Sequence, residues 1–201
     1  MRRFSPLLIL GLLALGIALV LFKRQQQSGA IPTSGGTPLD LAAISGVHFL
    51  QSDSRWSESQ IGGSGERIAK VGCTICSVAM ALDVCGFKTD PDQLNTALKE
   101  QNGFTSSGLL KWKAVEDISK GKIKITYLGK PSYPIIDNAL KKGQPVIAKI
   151  FLNNIVPHWV LIIGKKNGEY LVRDPAQQQP VILSSRAHSI YAIRILDRVT
   201  Q

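Results

Sequence analysis

The chain has 201 residues, 44% of them apolar, which allows one domain with a buried core and excludes a disordered chain. The formal net charge is +10, but part of it flanks an apolar N-terminal segment and the other lysines are scattered. No basic face with interleaved aromatic residues and no nucleic-acid-reading module is present, which excludes a nucleic-acid-binding protein. The basic surface is more typical of a protein near anionic lipid or cell-wall polymer.

Residues 1 to 24 are dominated by an apolar run. No polar side chain occurs between Leu7 and Phe22, and the segment from Phe4 to Phe22 would be about 28 Å long as a helix. This length matches the hydrocarbon core of a bilayer, so we predict one transmembrane helix. Lysine, arginine and glutamine follow the run instead of a small-residue cleavage site, which favours a retained anchor; a cleaved signal sequence, giving a secreted protein, is the alternative. The flanking charges predict a cytoplasmic N-terminus and an external domain.

The next segment differs sharply in composition. Residues 25 to 38 are rich in Gln, Gly, Ser and Pro, so we predict a flexible linker there and a globular domain over residues 39 to 201. The first part of that domain is predicted to be helical. Caps and apolar spacing indicate a helix from near Cys73 to Gly86, a helix capped by Asp90, Pro91 and Gln93, a helix from Ser107 to Gly121, and a short helix ending at Gly143.

The second part of the domain is predicted to be an antiparallel sheet. A short strand, KIKITYLG, precedes the last helix, and four more β-rich runs follow it: PVIAKIF, HWVLIIG, EYLVRD and SIYAIRIL. Asn167 and Gly168, between the second and third of these runs, are typical of a two-residue hairpin turn. Helices followed by an antiparallel sheet give an α+β fold.

The stretch VGCTICSVAMAL carries two cysteines that are three residues apart, Cys73 and Cys76. A helix start lowers the pKa of a cysteine through the helix dipole, and Gly72 permits a tight entry into such a helix. The stretch therefore provides an activated nucleophile. A redox dithiol is a second interpretation, although such dithiols follow a strand in a βαβ unit. A zinc site is a third, although Cys85 lies nine residues beyond Cys76 on the same helix and no second ligand pair exists.

A cysteine nucleophile needs a base and a group that orients the base. Of the three histidines, His158 begins an apolar strand where its side chain can face a cleft. Asp174 ends the strand that pairs with it across the predicted hairpin turn, so the two residues are expected near the same open end. Either residue alone has an ordinary structural explanation. Together with Cys73 they predict a Cys-His-Asp catalytic set.

These features resemble the C39-like peptidases, a branch of the papain-like cysteine peptidase fold. The resemblance covers roughly Gly46 to Leu196 and depends on the order of its motifs more than on any one of them. In chain order they are LQSDSRW, IGGSGERIAKVGCTICSVAMAL, DPDQLN, NGFTSSGLLKW, HWVLIIG and YLVRDP.

The resemblance implies a fold, an acyl-transfer mechanism and residue roles. Cys73 would attack a carbonyl with His158 as general base and later acid, and Asp174 would fix the tautomer of His158. Gln51 would stabilise the oxyanion together with the backbone N–H of Cys73, and Gln60 is a weaker candidate for that role. The implied substrate is a peptide or related amide, with no metal and no organic cofactor.

The sequence is therefore compatible with three functions. The leading one is a membrane-anchored cysteine peptidase or amidase that faces outward. The second is a catalytically idle papain-like module that binds peptide or cell-wall polymer, and the third is a thiol redox protein that uses Cys73 and Cys76. The sequence carries no indication of an oligomeric state.

Overall fold

The structure is a computed structural model, and it describes residues 29 to 199. The predicted transmembrane helix and the first residues of the predicted linker lie outside this range. Between residues 29 and 199, no helix combines the length and the apolar character that crossing a membrane requires.

Helices fill most of the first half of the described chain and strands fill the second half. The helices are α1 (Ile68–Val71), α2 (Cys73–Val84), α3 (Pro91–Glu100), α4 (Trp112–Ile118) and α5 (Tyr133–Lys141). The strands are β1 (Ile31–Pro32), β2 (Ile123–Leu128), β3 (Val146–Leu152), β4 (Val156–Lys166), β5 (Glu169–Arg173), β6 (Val181–Ile182), β7 (Ser189–Ile190) and β8 (Ala192–Arg198). This order confirms the predicted α+β class.

Six strands form one antiparallel sheet with the order β2-β8-β3-β4-β5-β6. Alternate side chains of the central strands enter two different cores, as the two-residue period of a strand requires. Ile147 and Leu161 pack with α2, α3 and α4 on one face. Ala148 and Val160 pack with α5 on the other face. The sheet therefore separates the helix that carries Cys73 from α5.

The predicted ends of the helices are correct for α3 and wrong for α4. Asp90 accepts hydrogen bonds from the first turn of α3, and the side chain of Gln93 completes the capping box. By contrast, Ser107 does not cap α4, which begins five residues later at Trp112. The hydroxyl of Thr105 contacts Ser107 and accepts from the backbone of Leu109, so these residues form a closed turn before the helix.

Part of the predicted flexible linker is folded. From Gly29 onward the chain is docked on the domain, because β1 pairs with β7. Thr33 is buried, and its hydroxyl donates to the carbonyl of Ala187 at 2.8 Å. Gly35 donates its backbone N–H to Gly168 at 3.1 Å. Polar composition predicted flexibility here, but hydrogen bonds to distant backbone groups hold residues 29 to 38 on the folded unit.

The β4–β5 hairpin has the predicted turn and an unpredicted β-bulge. Asn167 and Gly168 have φ values of 50° and 83°, as the predicted turn requires. Gly164 pairs with Leu171, but Ile162 pairs with Val172, so Ile163 has no partner on β5. The carbonyl of Ile163 instead accepts a hydrogen bond of 2.7 Å from the backbone of Ile44.

The bulge decides which face of the sheet Asp174 joins. A one-residue shift of register moves every later side chain to the opposite face. Without the bulge, the pairing of Gly164 with Leu171 would continue to place Asp174 opposite Leu161, on the α2 face. With it, the register continues to Val160, which lies on the same face as His158.

Candidate active site

The candidate active site lies where α2 meets the uncovered edge of β4. Strand β5 pairs with β4 only as far as Leu161, so the first half of β4 is free on that side. Helix α2 lies there, because the buried Ser77 donates its hydroxyl proton to the carbonyl of Trp159 at 3.0 Å. This contact brings the start of α2, with Cys73, next to His158.

Gly72 separates α1 from α2 and allows the close entry that the sequence predicts. A β-carbon at this position would lie 2.5 Å from the carbonyl oxygen of Ile68. Only glycine avoids that contact without a shift of the backbone. Cys73 is consequently the first residue of a twelve-residue helix, where the free N–H groups and the helix dipole favour a thiolate.

The structure brings Cys73, His158 and Asp174 together. His158 Nε2 lies 2.6 Å from Asp174 Oδ1, and both side chains are buried. Since Nε2 donates to the carboxylate, Nδ1 is the imidazole nitrogen that remains for a hydrogen bond with Cys73. Hydrogen bonding between His158 and Cys73 shifts the pKa of both groups.

The pKa shifts favour an ion pair between Cys73 and His158. Burial raises the pKa of Cys73, but the hydrogen bond and the charge of His158 outweigh burial and bring it below its ordinary value. Burial lowers the pKa of His158, whereas the hydrogen bonds to Asp174 and Cys73 raise it to about 9. Burial also raises the pKa of Asp174, but the bond to His158 brings it down to about 2. The three shifts all act in the direction that favours a thiolate at Cys73, an imidazolium at His158 and a carboxylate at Asp174.

Arg186 is a second charged partner of Asp174 that sequence reasoning missed. Its Nε donates to Asp174 Oδ2 at 2.7 Å, while Oδ1 accepts from the backbone of Ala176 at 2.8 Å as well as from His158. A fully buried carboxylate requires such partners. Arg186 lies in the loop before β7, and no local sequence pattern connects it with Asp174.

Gln51 links the two sides of the site. Its Nε2 donates to the carbonyl of Ala69 in α1 at 2.8 Å, and its backbone N–H donates to Pro175 at 3.0 Å. The carbonyl of Asp174 also contacts Nε2 of His48 at 3.1 Å. Gln51 is thus held between the segment before Cys73 and the turn after Asp174, with a second N–H on Nε2.

Gln60, the weaker candidate for the oxyanion role, has a different environment. It is exposed, and its backbone pairs with Arg67. Its backbone carbonyl accepts from the side chain of Asn95. Within residues 29 to 199 its own side chain makes no hydrogen bond, so it lacks the fixed position that Gln51 has.

The other two cysteines are core residues. Cys76 is completely buried, and burial raises its pKa far above the ordinary range. Burial likewise raises the pKa of Cys85 to about 12. All three cysteines are free thiols. In the described part of the chain, no group of three His, Cys, Asp or Glu residues is arranged to hold a metal ion.

The α+β fold, with a cysteine at the start of the helix beside the sheet, is that of the papain-like class. The model of the Peptidase_C39 like family matches residues 54–188, and the chain belongs to this family. The matched region contains Cys73, His158, Asp174 and Arg186, whereas Gln51 lies just before it.

A solved structure gives the same fold. A Bacillus anthracis protein assigned to the C39-like peptidases matches with a TM-score of 0.52 and 16% identity. The match covers 81% of this chain and 100% of that chain. At this identity the similarity establishes the fold. No protein with a curated description matches the sequence.

Proposed function

We propose that this protein is a cysteine peptidase or amidase in which Cys73, His158 and Asp174 form the catalytic set. The observation that carries the proposal is the 2.6 Å hydrogen bond between His158 and Asp174, buried beside Cys73 at the start of α2. Membership of a peptidase family supports the same reaction class.

Acylation would begin from the thiolate–imidazolium pair. Cys73 Sγ attacks the carbonyl carbon, and the electron pair of the carbonyl moves to its oxygen. His158 Nδ1–H then gives its proton to the departing amine, while the electron pair returns from the oxygen to re-form the carbonyl and the carbon–nitrogen bond breaks. A thioester on Cys73 remains, and Asp174 holds the imidazole in the orientation that this transfer requires.

Deacylation reverses the direction of proton transfer. His158, now neutral, takes a proton from water as the water oxygen attacks the thioester carbon. The carbon–sulfur bond breaks, and the thiolate–imidazolium pair is restored. In both steps, we assign the second N–H of Gln51 and the backbone N–H of Cys73 to the developing oxyanion. The side chain of Gln51 already has a fixed position through Ala69.

The test compares thiol reactivity in the full-length protein and in single variants. Iodoacetamide should alkylate Cys73 faster than an ordinary thiol at pH 7, because the contact with His158 lowers the pKa of Cys73 and favours its thiolate. The reaction should be lost in Cys73→Ala, retained in Cys76→Ala, and slowed to the rate of an ordinary thiol in His158→Ala. Peptide mapping by mass spectrometry identifies the modified cysteine.

The same experiment distinguishes the alternative functions. Rapid labelling of Cys76 with Cys73 unlabelled would favour the redox protein and would refute the nucleophile assignment. An ordinary, slow thiol at Cys73 would favour the idle binding module. An activated Cys73 followed by hydrolysis of a peptide library, lost in Cys73→Ala, would establish the peptidase.

We also propose that residues 1 to 24 anchor the protein in the cell membrane with the domain outside. The apolar run of bilayer length and its flanking charges support this orientation. An anchored protein should stay with the membrane after extraction at alkaline pH and should be digested by protease added to intact cells. Release into the medium as a shortened chain would instead indicate a cleaved signal sequence.

A further inference from the structure

A cavity of about 460 Å³ opens beside the candidate active site. Two of its lining residues, Thr74 and Trp159, directly follow Cys73 and His158 in the chain. A substrate whose carbonyl lies at Cys73 would therefore have neighbouring side chains within reach of this cavity. Because of this position, the cavity can contribute to substrate specificity.

The wall of the cavity is largely apolar and stays accessible. Leu109 and Val71 line it with exposed fractions of 67% and 42%, which are high for large apolar side chains. Trp112 packs against Trp159, with ring centroids 5.1 Å apart, and both residues line the cavity. Exposed apolar groups that border a concave site indicate a surface that binds an apolar partner.

The wall of the cavity also carries positive charge, which comes from strand β3. Lys149 lines the cavity from β3, where it pairs in register with Trp159. Arg194 lies close by, with its guanidinium 5.1 Å from the ring of Trp112. Among residues 29 to 199, neither cation forms an ion pair.

The carboxylate that also lines the cavity is already engaged. Glu66 forms an ion pair with Lys70 at 3.0 Å. The pKa of Lys149 lies below its ordinary value because of burial and because of the charge of Arg194. An anion beside Lys149 stabilises the charged ammonium and so counteracts both effects.

We propose that this cavity is a recognition site for a peptide segment that has a large apolar side chain beside an acidic one. The apolar side chain lies against Trp112, Trp159 and Leu109, and the carboxylate binds Lys149. The volume accommodates two adjoining side chains, and charge complementarity selects the acidic one. The proposal rests on the proposed function, because it takes Cys73 as the reacting group, and it adds a substrate class to it.

The test uses six dipeptidyl chloromethyl ketones with the full-length protein. Leucine occupies one position and glutamate, glutamine or lysine the other, in both orders. Reaction joins Cys73 Sγ to the methylene carbon and releases chloride, so each rate constant measures how well the peptide is held near the thiol. The ratio of the glutamate rate to the glutamine rate is the readout, because changes in thiol reactivity cancel in it.

In the better of the two orders, the glutamate probe should react about tenfold faster than the glutamine probe, and the lysine probe slowest. Lys149→Met should bring the ratio close to one, and Lys149→Glu should reverse the order. Lys142→Glu is the matched control, since it changes the net charge equally at an exposed position that follows α5. Equal rates for all six probes, or a glutamate preference that survives in Lys149→Glu, would overturn the proposal.

A second measurement separates this proposal from the catalytic one. In Cys73→Ala, binding of the corresponding dipeptide amides is followed by the fluorescence of the tryptophans at the cavity. Tighter binding of the glutamate peptide, dependent on Lys149, supports recognition even if the wild-type thiol is inert to iodoacetamide. If Cys73→Ala binds the peptides without charge preference while Cys73 of the wild-type protein is reactive, the recognition site is refuted and the peptidase proposal is retained.

Discussion

The contact between Arg186 and Asp174 predicts a specific cost for a substitution that looks conservative. Asp174→Asn retains an oxygen for His158 Nε2 and for the backbone of Ala176, but it puts an amide N–H₂ against the guanidinium of Arg186. Two donors then face each other, and Arg186 keeps its charge without a partner. The variant should lose both stability and the orientation of the imidazole.

The magnitude follows from the burial of the two partners. Asp174 is fully buried, whereas 22% of the Arg186 side chain remains exposed. Removing one partner of a buried ion pair costs about 3–5 kcal/mol. Because water reaches part of Arg186, we expect about 2–4 kcal/mol for Asp174→Asn. Arg186→Met leaves Asp174 with two of its three donors, and we expect about 1–3 kcal/mol.

The two substitutions together should be less damaging than their sum. In the double variant no unpaired charge remains, so a coupling free energy of about 2 kcal/mol should favour the double variant over additivity. Urea unfolding of the full-length protein measures each value. Arg67→Met is the control, because its exposed ion pair with Glu58 should contribute about 0–1 kcal/mol. Additive losses for Asp174 and Arg186 would refute the charge argument.

Three further predictions concern the site and the hairpin that positions it. Hydrolysis requires the imidazolium of His158, so its rate should fall as pH rises through about 9, while alkylation of Cys73, which requires only the thiolate, should not fall. Gly164→Ala places a β-carbon 3.0 Å from the carbonyl oxygen of Leu41, so it should lower the free energy of unfolding by about 1–3 kcal/mol. Gly129→Ala is the control, because its β-carbon meets no atom within 4 Å and stability should not change. Equal stabilities of the two variants in urea unfolding would contradict the packing argument. Gln51→Ala should lower kcat/KM for peptide hydrolysis about 10²-fold or more with little change in iodoacetamide alkylation, which forms no oxyanion, and parallel losses in both assays would indicate a structural role instead.

Local signals explain what the sequence predicted well. The capping box of α3 lies within four residues, from Asp90 to Gln93, and the turn at Asn167 and Gly168 depends on two residues. The pairing of His158 with Asp174 followed from that turn, because hairpin geometry brings the two strand ends together. These features needed no knowledge of distant parts of the chain.

Features that depend on distant contacts were not predictable from such signals. The hairpin argument placed Asp174 near His158, but the face that it joins depends on the bulge at Ile163. That bulge is satisfied by the backbone of Ile44, more than a hundred residues earlier. Arg186 meets Asp174 through the return of the chain before β7. Backbone hydrogen bonds and charge pairs between distant segments produce no periodicity or spacing in the sequence from which they could be predicted.

The spacing of Cys73 and Cys76 shows why a motif needs its environment. Both cysteines lie on α2, three residues apart, and the sequence alone permits a redox pair. At the helix start, Cys73 meets the imidazole of His158, and the balance of burial against that contact lowers its pKa. One turn later, Cys76 meets only the core, and burial raises its pKa. Since thiol chemistry at neutral pH requires the thiolate, the same helix makes one cysteine a candidate nucleophile and keeps the other an apolar packing residue.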